Sequence, residues 1–286
     1  MTAGAPCPAW RLGGFCLLVL VAAAAADDAP RQLRFLRPGA APVVLDAAAL
    51  AARCGVETVS LDDPYYGGRK TYRACPLAAV LELGFGAPIT SFAGQTVFFR
   101  ARDGYAKPAS AALLAEAGGF LALADLDHAR GDDPGWQPID RKQVDPGPFY
   151  VVWTGAAQQD TSHYPWPYQL TEIELAPIER LYPHIAPEGV AADAPAWAGY
   201  AIFTSQCIAC HAINREGGTV GPELNVPRSI VEYRPAEQIK AYIRDPQSFR
   251  YTSMPPHPSL SDADLDALVA YFSAMKDRKH DPGRMP

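Results

Sequence analysis

Two thiols and an imidazole fall within five residues in Cys207-Ile208-Ala209-Cys210-His211. That spacing is the attachment site for c-type haem: the thiols add across the two vinyl groups of the porphyrin, and the imidazole beside them reaches the iron. A CxxC can also hold zinc or exchange electrons as a dithiol. Zinc needs a second ligand pair, and the chain has no other CxxC and no HxxxH. Dithiol exchange needs the strand-to-helix turn of a βαβ unit, which the flanking residues do not suggest.

Residues downstream supply what such a haem requires. Gly221-Pro222-Glu223-Leu224 begins ten residues after His211, so a loop carbonyl there, that of Pro222, is placed to accept the other ring N–H of His211 and fix its tautomer. Met254-Pro255 offers the sixth ligand, because a neutral thioether opposite the histidine favours ferrous iron and raises the potential. His257 and Met275 compete for that role; Met275 lies inside the last helix, where methionines usually fill the core.

With these residues in place, the stretch from about Ala194 to Lys276 resembles a class I cytochrome c. Trp197-Ala198-Gly199-Tyr200-Ala201-Ile202-Phe203 is similar to that family's first helix, whose glycine lets the last helix cross closely, and Tyr271-Phe272 stands where the partner aromatic belongs. Pro235 to Ile243 reads as a middle helix. The last helix reads well on its own terms: Ser261 is an N-cap, Asp262 and Asp264 suit the positive end of the helix dipole, and Leu265, Leu268, Val269 and Phe272 recur every three to four residues. The resemblance implies an all-α fold wrapped round one covalent haem c, with iron held by His211 and Met254.

The N-terminus carries an address. Arg11 precedes an apolar stretch from Leu12 to Val21, and a run of alanines ends before Asp27-Asp28, which reads as a signal peptide over residues 1–26. The apolar part is short for a membrane span, so membrane association is expected only if the signal is retained. Export agrees with covalent haem and places the protein in the periplasm. Of six cysteines, Cys7 and Cys16 leave with the signal and Cys207 and Cys210 go to haem. Cys54 and Cys75 remain, and an oxidising compartment favours a disulfide between them, with free buried cysteines or a metal ligand as alternatives.

Two domains must position these groups. Residues 27–189 form an α+β domain and residues 190–286 the cytochrome c domain, with the Pro/Ala-rich run from Ala186 to Pro195 as linker. Between Asp27 and Asp193 there are 14 basic and 21 acidic residues, against 10 of each from Ala194 onward. The acidic excess of the first domain argues against nucleic acid as a partner. Helices are expected at Ala47–Arg53, Pro76–Leu83 and Ala109–Ala117, and strands at Thr96–Ala101, Gly119–Ala124, Phe149–Trp153 and Tyr168–Leu175.

This first domain also resembles, over about Val43 to Leu175, the molybdopterin-binding domain of sulfite-oxidase-type enzymes, with a mixed sheet. The likeness rests on Thr71-Tyr72-Arg73-Ala74-Cys75-Pro76-Leu77, then Val80-Leu81 and Gly84, Ala101-Arg102-Asp103-Gly104-Tyr105, and Gly147-Pro148-Phe149-Tyr150-Val151-Val152-Trp153. Two departures count against a cofactor. The stretch from Val59 to Tyr66 lacks the molybdenum-binding cysteine, Cys75 standing instead where the family has glycine. The basic residues near it are only Arg69, Lys70 and Arg73. The domain therefore reads as a cofactor-free relative that docks a partner.

An iron with both axial positions filled has no open site for substrate, so the expected function is outer-sphere transfer of single electrons between redox partners, such as a periplasmic dehydrogenase and a terminal oxidase. Two other readings remain. One is a molybdenum-dependent, sulfite-dehydrogenase-like oxidoreductase with a fused cytochrome; the other is a haem-based sensor in which a gas replaces Met254.

Overall fold

The computed structural model describes Met1 and residues 31–131, 133–139, 143–161 and 163–283. The expected signal peptide, with Cys7 and Cys16, lies outside the described residues apart from Met1. In chain order the elements are β1 (Gln32–Leu36), β2 (Val43–Asp46), α1 (Ala47–Arg53), β3 (Glu57–Asp63), β4 (Gly68–Pro76), α2 (Leu77–Phe85), β5 (Thr96–Ala101), β6 (Ala106–Ser110), α3 (Ala111–Leu114), β7 (Gly119–Asp125), β8 (Tyr150–Trp153), β9 (Leu170–Leu175), α4 (Ile178–Leu181), α5 (Pro195–Ile202), β10 (Ala212–Ile213), β11 (Glu216–Gly217), α6 (Ala236–Arg244) and α7 (Asp262–Lys276).

The N-terminal part is built on two sheets. One has the order β2-β1-β9-β5-β6 and is mixed, since β1 and β9 run parallel while its other pairs are antiparallel. The other is antiparallel, in the order β3-β4-β7-β8. Strands β1 to β4 and β6 are not among the expected elements. Their apolar positions do alternate, as Leu33 with Phe35 and Val59 with Leu61 show, but charged neighbours keep each run short. The helix expected over Ala109–Ala117 shrinks to α3, because Ala106–Ser110 pairs with β5 instead. Cys54 follows α1 and Cys75 lies on β4; they form a disulfide with Cα atoms 5.5 Å apart.

β5 explains how the two parts of the molecule meet. Successive side chains of a strand point to opposite faces. Val97 and Phe99 enter the core between the sheets, whereas Phe98 points the other way, into a second core with Tyr182, Phe203, Leu268 and Tyr271. A strand covered on both faces needs an unbroken apolar run, and Val97-Phe98-Phe99 is one. The second core belongs to the C-terminal part, which is helical apart from the small β10–β11 hairpin. Residues 31 onward form one compact unit.

Within the C-terminal part α5 lies against α7. A Cβ at Gly199 would stand 2.0 Å from the carbonyl oxygen of Ala267, so only glycine permits this approach. Ser261 caps α7: its hydroxyl accepts from Asp264 N at 3.2 Å, and the Asp264 carboxylate accepts from Ser261 N at 2.9 Å.

Candidate functional site

α5 runs into a π-helical turn, Phe203–Cys207, closed by Ile208 N donating to Phe203 O at 2.8 Å. The widened turn buries Phe203, Ile208 and Ala209 while leaving Cys207 and Cys210 half-buried as free thiols. The backbone then coils once more, Cys210 N and His211 N both donating to Cys207 O at 3.1 and 2.9 Å. All three groups of the motif are thereby brought into one turn.

A loop folds back to hold the imidazole. Gly221 N donates to Cys210 O at 2.7 Å, and His211 Nδ1 lies 2.8 Å from Pro222 O. A carbonyl can only accept, so Nδ1 carries the proton and Nε2 keeps its lone pair. A Cβ on Gly221 would come within 2.5 Å of His211 Cε1, which is why glycine precedes Pro222. Glu223 organises the rest of the loop. Its carboxylate accepts from the backbone N–H of Asn214, Asn225 and Val226 on one oxygen and of Arg215 on the other, at 2.7 to 3.1 Å.

Electrostatics keep these groups neutral. Burial pushes the Cys207 thiol up to about 12, with Cys210 adding to the rise and Lys107 opposing it. Burial pushes Cys210 up to about 11, Asp103 adding and Lys107 opposing. Burial also lowers the pKa of His211, against the Pro222 hydrogen bond and the Glu223 charge. Two S–H groups and one neutral imidazole result.

Of the candidate sixth ligands, Met254 is half-buried at the edge of the second core, its N–H donating to Thr252 Oγ1 at 3.1 Å. His257 is also half-buried, and its pKa is lowered by burial first, then by the neighbouring Lys107 and His211. Met275 is fully buried in the core of α7. Along the chain after Pro222, Leu224, Ile230 and Val231 are partly buried against the second core. Two thiols, an imidazole nitrogen with a free lone pair and a rim of apolar side chains fit a porphyrin with its iron.

Sequence reasoning missed Lys107 and Glu223. Lys107 lies on β6, and its Nζ donates to Ser205 O, 98 positions further on; no local signal could have announced it. Glu223 was visible only as part of the Gly221–Leu224 run.

Comparison with known proteins bears on the same segment. A family model described as cytochrome C oxidase, cbb3-type, subunit III matches residues 194–272. Cytochrome c oxidase subunit 2 of Alkalihalophilus pseudofirmus is 37% identical over 79 residues, which cover 25% of this chain and 23% of that protein. The chain thus matches less than a quarter of that relative's length. Residues 194–272 therefore match a cytochrome c domain, which supports a haem-based electron-transfer role for this part of the chain.

Proposed function

We propose that this chain is an exported, periplasmic one-electron carrier holding a single haem c through Cys207 and Cys210, with His211 and Met254 as axial ligands. The observation that carries this reading is the 2.8 Å contact between His211 Nδ1 and Pro222 O, which leaves Nε2 as the ligating atom. The bound haem supplies a ferric/ferrous couple. His211, in its fixed tautomer, and Met254, a neutral thioether, would hold the iron, and the thiols of Cys207 and Cys210 would anchor the ring by adding across its vinyl groups as thioethers.

The N-terminal part then serves to dock a redox partner and carries no molybdopterin. Cys75 is joined to Cys54, so it offers no thiolate. β4 turns Arg69 and Arg73 outward and Lys70 inward, and Lys70 donates to Asp125 Oδ2 at 2.6 Å and Gln137 Oε1 at 3.0 Å. These three cations therefore do not converge on a phosphate. The matched family and relative are oxidase subunits by name, which favours a terminal oxidase among the redox partners. Among the described residues no helix is long and apolar enough to cross a membrane.

The test is the iron and molybdenum content of the full chain, exported with haem-maturation machinery present, together with its intact mass. One iron, covalently held haem and no molybdenum are expected. Molybdenum near one per chain would make the protein a fused dehydrogenase instead.

A further inference from the structure

A lysine is seldom buried unless something holds its charge, yet Lys107 is only 5% exposed. It sits at the junction of the N-terminal sheet and the haem-attachment turn. Its Nζ donates to Ser205 O at 2.8 Å, two residues before Cys207, and the N–H of its neighbour Ala106 donates to Ala209 O at 2.9 Å, inside the attachment motif. The turn leading into β6 is tied down as well. Thr219 N donates to Gly104 O at 3.0 Å, and a Cβ on Gly104 would stand 2.0 Å from Thr219 Oγ1. Thus β6 is laid along the attachment turn, with Lys107 and Ser205 side by side on the wall of a surface cleft.

Burial lowers the pKa of Lys107, against Cys207, Cys210 and Asp160, which raise it, and Lys107 acts in turn on Cys207, on Cys210 and on His257 of the loop that carries Met254. One cation is therefore felt at both attachment points and on the loop of the sixth ligand. Away from water such a charge is weakly screened. Reduction of the iron adds one negative charge to the ring system, and a fixed cation nearby favours the reduced form.

We propose that Lys107 acts through space to raise the reduction potential of the haem, so that the N-terminal part tunes the electron carrier as well as docking its partner. This rests on the assignment of haem to Cys207, Cys210 and His211. Lys107 also holds the Ser205 carbonyl of the π-helical turn, a purely structural role. Potential and stability must therefore be read separately.

The experiment is a potentiometric titration of the full-length, haem-loaded protein and its variants, with thermal unfolding in parallel. Lys107→Met keeps the stem and removes the charge; the reduction equilibrium is expected to shift about tenfold toward ferric, about 59 mV for one electron. Lys107→Arg should stay within about threefold of the parent. An unchanged potential in Lys107→Met, or an equal drop in Lys107→Arg, overturns the proposal and leaves only the structural role. Should Lys107→Met fail to load haem, Asp160→Asn decides. Asp160 is exposed, and removing its charge unmasks Lys107, so the potential is expected to rise; no change or a fall overturns the proposal. Absence of covalent haem in the parent protein would instead end the assignment of the site itself.

Discussion

An imidazole can serve as a fixed ligand only when its second nitrogen is held, and at His211 one backbone carbonyl does this. The sixth position is less constrained, because Met254 and His257 share one short loop. Met254→Ala is expected to leave haem attached but five-coordinate or water-ligated, with a substantially lower potential, whereas His257→Ala leaves both unaltered. Visible spectra and potentiometric titration of the two variants check this; a changed spectrum in His257→Ala alone would move the ligand to His257. At this scale the sequence is most legible where chemistry is local. Cys207, Cys210 and His211 fall within five consecutive positions brought together by a single turn, and Pro222 needs only a short loop to return. Lys107 was illegible because a strand from another sheet delivers it.

Elements were legible where one face repeats and a cap marks the start. α7 begins at Asp262 after Ser261, as the cap and the apolar spacing require. Ser261→Ala is expected to cost about 1 kcal/mol at neutral pH, measured by chemical denaturation. Its hydrogen bonds to Asp264 hold that carboxyl below the ordinary 3.8. A depressed carboxylate contributes stability above its unfolded value and loses it as pH falls through the folded value. The difference between Ser261→Ala and the parent should therefore shrink below pH 3.8. In the N-terminal part the bond from Cys54 to Cys75 ties α1 to β4 across 21 positions. A Cys54→Ser/Cys75→Ser double change is expected to cost about 3 kcal/mol, since loops of this size restrict the unfolded chain by that order. Denaturation of parent and variant under oxidising conditions measures it, and no difference would show that the bond does not form in solution. Strands such as β1 and β6 escaped notice because a few alternating residues gain their stability from neighbours far along the chain.

For the molecule as a whole, β5 is a wall shared by two cores. Phe98 packs edge-on against Tyr182 with ring centres 5.5 Å apart, and Arg100 beside it pairs with Glu172 and Glu174 at 3.4 and 2.9 Å while reaching Tyr182 Oη. A molecule joined in this way should unfold in one transition, with the absorbance of the proposed haem and the fluorescence of Trp153 and Trp166 changing together. Phe98→Ala is expected to cost about 3–5 kcal/mol and to pull the two signals apart. Transitions already separate in the parent would show that the halves are held independently.

What the sequence by itself determined is the chemistry of the haem site, because the attachment motif, its histidine and the helix signals around it act over a few residues or turns. It also carried the order of a mixed α and β region followed by a helical one. What only the tertiary structure decided is how the halves bear on each other: that Phe98 leaves the first core for the second, that Gly199 meets Ala267, and that Lys107 is buried beside the attachment turn. Each of these is a contact between distant positions, and spacing along the chain does not encode which distant surface a side chain will meet.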